Sequence, residues 1–273
     1  MVDITVRGAG ILGLSTAWTC LQKGATVQIV DPFGAGAGSS GGVVGALAPH
    51  VPENWNAKKA FQLESLLMAE TFWAGVQSAS GADPGYIRSG RLQPVATQAA
   101  LDLAQARSHQ AEALWQGKAV WSVDRVDPQA GWMPQSDTGW MIRDTLSALL
   151  HPQRAVSALV AALASRGVPV LTEAPDRGKV LWATGVSGLE ALTAGRSRAV
   201  GNGVKGQAAV FGLGARGQPQ LFIDGLHIIP HADGTVAVGS TSERDYSDPA
   251  TTDHQLDALI DKALYELRRV AGD

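Results

Sequence analysis

The stretch that decides the fold is Ile4-Thr5-Val6-Arg7-Gly8-Ala9-Gly10-Ile11-Leu12-Gly13-Leu14, continued by Thr26-Val27-Gln28-Ile29-Val30-Asp31-Pro32. Ile4 to Val6 reads as a short buried strand, and Gly8, Gly10 and Gly13 have the spacing G-x-G-x-x-G. Ile11, Leu14, Trp18 and Leu21 recur with a helical period, and Gly24 predicts the stop. Thr26 to Val30 is a second strand, with Asp31 at its end, 18 residues past Gly13. The glycine spacing alone is weak evidence. Strand, glycine turn, helix, strand and acid in this order make a dinucleotide-binding unit. The first glycine turns the chain, the second admits a pyrophosphate to the backbone, and the third lets helix and strand pack closely. The helix N-terminus, at Ile11, Leu12 and Gly13, turns unpaired N–H groups and partial positive charge toward the phosphates. Asp31 suits a ribose diol. Pro32 and Phe33 add no cation beside it, so a 2′-phosphate is disfavoured.

The 273 residues suffice for one large or two modest domains. A hydrophobic content of 45% with 17% charged residues describes a globular chain, and a net charge of −3 offers nothing to nucleic acid. No apolar run reaches the roughly 18 residues of a membrane span. The N-terminus runs straight into the first strand without a leader pattern. Cys20 is the one cysteine; it lies in the first helix as a structural thiol, and a cytoplasmic location is expected. The six histidines show no H-x-x-x-H pair, so no metal site is expected.

Six glycines fall between Gly34 and Gly45, directly after the acid, with the hydroxyls of Ser39 and Ser40 among them. The alternative to a cofactor-wrapping loop is a flexible linker, but Val43, Val44, Ala46 and Leu47 are too apolar for one. Lys58 to Val76 reads as a helix, Gly85 to Val95 as a hairpin, and Leu101 to Trp115 as a helix. Trp115, Trp121, Trp132 and Trp140 fall within 26 residues, as core or as the wall of an apolar pocket. Pro152 to Gly167 is helical, and Val168 to Leu171 and Val180 to Ala183 are strands that belong with the nucleotide unit. Four segments, 204–211, 221–223, 227–230 and 235–239, alternate with glycine-rich turns as antiparallel strands do. The last helix carries Leu256, Leu259, Ile260, Ala263, Leu264 and Leu267 on one face.

Four stretches, in order, resemble the D-amino-acid oxidase/glycine oxidase family of flavoenzymes: Gly8 to Ala17, Ser39 to Pro49, Leu181 to Leu189, and His227 to Glu243. The first is similar to the FAD fingerprint of the family and the second to its flavin-contacting loop. The third contains its Ala183-Thr184-Gly185, and the last its strand pair before the substrate site. Gly239-Ser240-Thr241 stands where the family usually has Gly-Gly-Thr. The resemblance implies an α/β fold: a Rossmann-like FAD domain over 1–80 and 146–203, an interleaved antiparallel-sheet substrate domain over 81–145 and 204–250, and a C-terminal helix over 251–273. It implies FAD held by Gly8, Gly10, Ile11, Leu12, Gly13, Asp31, Pro32, Ser39, Ser40, Gly45, Ala46, Leu47, Thr184 and Gly185. The reaction implied is oxidation of the C–N bond of a small amino acid or secondary amine, of the glycine, D-amino-acid or sarcosine type, by hydride transfer to flavin N5.

By the same resemblance His227 falls where the family often has a substrate-contacting Tyr, and His50 falls near the flavin ring. Arg91 is the best cation for a substrate carboxylate. The alternative for each is an ordinary surface residue. Two features depart from the family. Residues 172–179 are short where relatives insert strands, and the sequence ends at Asp273 without the family's Gly-x-Arg-Pro stretch. The expectation is therefore an oxidoreductase or a flavin-binding chain completed by a partner, with room for a homo-oligomer. A nicotinamide-dependent dehydrogenase is a third reading, and the 34–45 loop argues against it.

Overall fold

In the computed structural model, which describes residues 1–127 and 129–271, the glycine turn and the acid lie at the ends of neighbouring parallel strands. The chain runs β1 (Ile4–Arg7), α1 (Ile11–Gln22), β2 (Val27–Val30), a 3-10 turn (Ser39–Gly41), β3 (Ala46–Leu47) and α2 (Ala57–Ser80). It continues through β4 (Arg91–Pro94), α3 (Gln98–Trp115), β5 (Trp121–Arg125), β6 (Trp140–Asp144), β7 (Ala148–Leu149) and α4 (Pro152–Ala164). The last part is β8 (Val170–Leu171), β9 (Lys179–Trp182), α5 (Gly185–Ala194), β10 (Ala208–Gly212), β11 (Gln220–Ile223), β12 (Leu226–Pro230), β13 (Thr235–Gly239) and α6 (His254–Ala271).

A four-stranded parallel sheet has the order β8-β2-β1-β9. Strand order reverses at β1, because β2 lies on one side of it and β9 on the other; ligands of open α/β sheets sit at such a switch point. Val6, Leu14, Trp18, Ile29, Trp73, Val156, Leu159 and Leu163 form the core under this sheet, joining α1, α2 and α4 to it. Local chemistry sets the helix ends. Asn56 caps α2 through the Lys59 N–H, Thr97 caps α3 through the Ala100 N–H, and Pro152 opens α4.

The second sheet has seven strands, in the order β10-β13-β12-β11-β4-β6-β5. It is mixed, because β11 and β4 pair in parallel. The hairpin expected over Gly85 to Val95 does not form. Only β4 is a strand there, and it pairs with β6 and β11, while Ile87 makes one bridge to Leu149. Residues 85–90 are spent on reaching that bridge, so β4 finds its neighbours far away in sequence. Leu92, Leu221, Ile228, Val236 and Val238 meet Ala263 and Leu267 of α6 on one face. Strand alternation puts Phe222, His227, Ile229, Ala237 and Gly239 on the other face, and Ile229 and Ala237 pack there with Val43, Val44 and Ala46. The glycine-rich loop thus lies on the second sheet. It is not a linker.

The tryptophan cluster is core and is divided between two places. Trp115 and Trp121 pack edge to face at 6.1 Å under α3, while Trp132 donates its indole N–H to the Pro219 carbonyl near α6. Arg125 lies 4.3 Å over the Trp140 ring. They do not wall a common pocket.

Candidate active site

The three fingerprint glycines do different jobs. Gly8 has φ +106°, and a Cβ there would overlap the Ala183 carbonyl oxygen. A Cβ at Gly13 would overlap the carbonyl oxygen of Gly8. Both are demanded by the protein's own backbone. A Cβ at Gly10 would lie 3.1 Å from Ser40 Oγ, and its other surroundings are open. Gly10 is the N-cap of α1 and has no side chain to offer, so the Ile11 N–H donates to Ser40 Oγ at 2.9 Å. Leu12, one residue on, is exposed. A hydroxyl from the neighbouring loop therefore marks the place where an anion would meet the helix end.

Asp31 does more than the sequence suggested. Its Oδ2 accepts the Ala9 N–H at 2.7 Å and its Oδ1 accepts the Phe33 N–H at 2.9 Å. The acid thus holds the glycine turn in shape, with further carboxylate lone pairs left for a ribose. A cleft of about 540 Å³ opens beside it, lined by Gly8, Asp31, Pro32, Ser39, Thr184 and Gly185 among the expected residues. Arg7, Phe33, Trp182 and Val186 also line it and were not expected. Trp182 is 68% exposed and Phe33 76% exposed, so two outward aromatic rings border the cleft. The outward-facing aromatic just before Ala183-Thr184-Gly185 was the available signal for Trp182. The cradle has the size, open helix end, acid and hydroxyls that the adenosine and pyrophosphate part of a dinucleotide needs.

Gly45, Ala46 and Leu47 lie elsewhere, in the short antiparallel pair of β3 with β7. A Cβ at Gly45 would overlap the Leu150 carbonyl oxygen, so this glycine serves a close strand crossing. The Leu47 carbonyl accepts from Gln220 Nε2 at 3.2 Å, which ties the loop to the second sheet. Val44 reaches Gly239, where a Cβ would be 2.9 Å from its Cγ2.

On that sheet face the structure brings two of the three expected substrate residues near each other. The His227 ring packs against Phe222 at 4.7 Å, tilted by 43°, and the Arg91 guanidinium lies 5.8 Å from the same Phe222 ring. Neither is a surface residue. Arg91 is 8% exposed and pairs with buried Asp144 at 3.2 Å. Asp144 also accepts from the Leu146 and Ser147 N–H groups and from the Ser147 hydroxyl. The pair is charge-balanced and closed. His227 Nδ1 is buried without a hydrogen-bond partner. Burial, and then the Arg91 charge, hold its pKa below the ordinary histidine value, so the ring is neutral near pH 7. The half-buried His50 makes no side-chain hydrogen bond among the described residues; its N–H donates to Gln62 Oε1. The described residues contain no group of three or more His, Cys, Asp or Glu placed to hold a metal ion, and no helix long and apolar enough to cross a membrane.

A family model described as FAD dependent oxidoreductase (DAO) matches residues 3–270. The chain belongs to this family. Its cofactor is FAD, and the α/β fold with a Rossmann-like parallel sheet is that of its relatives. Glycine oxidase from Geobacillus kaustophilus superposes with a TM-score of 0.76 at 16% identity, over 99% of this chain and 78% of that one. Iminodiacetate oxidase from Chelativorans sp. BNC1 gives 0.74 at 18% identity, over 98% and 80%. L-proline dehydrogenase from P. horikoshii gives 0.71 at 14% identity, over 99% and 77%. No protein among the curated sequences matches this chain. Identities this low carry the fold and leave the substrate to chemistry.

Proposed function

We propose that this FAD-dependent oxidoreductase oxidises the C–N bond of a small amino acid or secondary amine, of the glycine, D-amino-acid or sarcosine type. The observation that carries the reading is the unpartnered, buried Nδ1 of a neutral His227 on the sheet face covered by the 43–47 loop. Gly8, Gly10, Gly13, Asp31, Ser39, Ser40, Thr184 and Gly185 would hold the nucleotide half of the cofactor. Gly45, Ala46 and Leu47 would set the loop against its ring. Bound FAD supplies a two-electron acceptor for a hydride. The chain's part is to bind and orient the amine. A neutral imidazole gives the substrate nitrogen a hydrogen-bonding partner that adds no positive charge of its own beside Arg91, which favours binding of the unprotonated amine. Arg91 enters as a positioning residue, its charge balanced by Asp144 and its guanidinium beside Phe222, rather than as the expected carboxylate clamp. His50, next to the loop, is a secondary candidate for substrate contact.

Two observations favour a second reading, a flavin-binding chain completed by a partner. None of the residues of α5 is buried, and β9 is an edge strand of the parallel sheet. A visible spectrum of the purified chain, before and after anaerobic addition of glycine, sarcosine and D-amino acids, separates the two. Flavin peaks that bleach with one of these compounds support the oxidoreductase. Flavin that stays oxidised with all of them supports the second reading. A colourless protein that also refuses added FAD would sink both.

A further inference from the structure

His231 has no part in the site described above, yet it is buried to 1% exposure at the junction of three segments. It opens the turn between β12 and β13, where its N–H donates to the Thr235 carbonyl at 2.8 Å. Its Nε2 lies 3.0 Å from the carbonyl oxygen of Val43, in the glycine-rich loop. Its ring packs at 4.5 Å, tilted by 39°, against that of His151, the N-cap of α4. A backbone carbonyl only accepts, so Nε2 carries the proton and Nδ1 is the bare nitrogen. That Nδ1 is buried and has no partner. A second proton there would have no acceptor and would face another imidazole.

We infer that His231 is a positioning residue that holds the 42–47 loop on the second sheet through its Nε2–H, and that a second proton, forced onto the buried, partnerless Nδ1 of a ring packed on His151, makes it a latch released by acid. The charged groups around the pair are few. Asp233, on the same turn, lies 3.9 Å from His151 Nε2, and its side chain is 40% exposed. Arg154, on α4, faces both imidazoles and is itself paired with Asp83 at 3.2 Å. Burial lowers the pKa of both histidines; at His231 it outweighs the Val43 hydrogen bond and Asp233, which both favour the charged ring, and at His151 the neighbouring His231 lowers the pKa further while Asp233 opposes. Folding therefore favours the neutral pair. The contribution is complete above the ordinary histidine pKa of about 6.5 and is lost as pH falls below it. The consequence for flavin retention rests on the reading that the 45–47 segment contacts the cofactor.

The test is hydrogen exchange of the full-length chain from pH 8 to pH 5, read as protection factors over 42–47, with flavin release followed by fluorescence in parallel. The variants are His231→Gln, which keeps an amide N–H for the Val43 carbonyl and cannot charge, and His231→Leu, which loses the donor. The wild type should lose loop protection below pH 6.5, by up to about tenfold per pH unit, because the opened ring takes up a proton that the buried one refuses. His231→Gln should hold its protection across the range, and His231→Leu should be low throughout. The same acid response in wild type and His231→Gln would overturn the latch. Loop protection that follows the latch while flavin release does not would uphold the latch and remove the loop's contact with the cofactor.

Discussion

The glycine end of the parallel sheet and the inner face of the second sheet are built by opposite means. The first is made of backbone. Gly8, Gly13 and the Ala9 and Phe33 N–H groups are arranged within one continuous stretch, with Asp31 as a clamp and Ser40 as a visiting cap. The second is made of side chains from β4, β6, β11 and β12, which meet only after more than 130 residues of chain have folded. A backbone site tolerates little change in any one glycine and depends weakly on pH. A side-chain site concentrates its energy in one buried ion pair and is sensitive to protonation.

The strongest way to break the second region is Arg91→Met. It leaves Asp144 buried with one partner fewer, and chemical unfolding should show a loss of about 3–5 kcal/mol. Adding Asp144→Asn should recover part of that loss, because the amide oxygen still accepts from the Leu146 and Ser147 N–H groups while the unpaired charge is gone. No recovery in the double variant would mean that the face is held by packing and not by charge balance.

The first region breaks most directly at Gly13→Ala. Overlap with the Gly8 carbonyl should cost about 1–3 kcal/mol in unfolding experiments and remove flavin from the purified protein. Asp31→Ala withdraws the acceptor from the Ala9 and Phe33 N–H groups, and FAD titration should show binding weaker by about 1–3 kcal/mol. Gly10→Ala sharpens the comparison, because its Cβ meets only Ser40. Stability should change by less than about 1 kcal/mol while flavin occupancy falls steeply. Full occupancy in that variant would show that the phosphates lie elsewhere.

The smallest effect concerns His227. Its lowered pKa means that the folded state takes up fewer protons than the unfolded chain just below pH 6.5. Stability is therefore complete above that pH and declines below it. In His227→Phe this part of the decline should be absent, which the difference between the two stability-against-pH curves reads directly. Coincident curves would mean that the ring does not titrate with folding.

The glycine turn, its helix and the acid were legible because they are local, whereas Trp182, Thr184 and Gly185 join them from about 150 residues further along the chain. Strand, turn, helix and acid lie within residues 4–31, and each has a residue preference that survives without tertiary context. Even so, sequence spacing treated the three glycines alike. The packing of Gly8 on Ala183 and of Gly13 on Gly8 separates two glycines that the fold requires from one left open. The hairpin expected over 85–95 failed for the converse reason: β4 pairs with β6 and β11, which no local period announces.

By itself the sequence determined the parallel nucleotide unit, the flavoenzyme family and the run of strands expected over 204–239, of which the first begins only at Ala208, because these rest on short-range periodicity, turn chemistry and motif order. Only the tertiary structure decided that Arg91 is closed off by Asp144, that His227 is neutral with an idle nitrogen, and that His231 holds the Val43 carbonyl. Burial and partners set the charge state of a side chain, and both are properties of segments brought together from far along the chain.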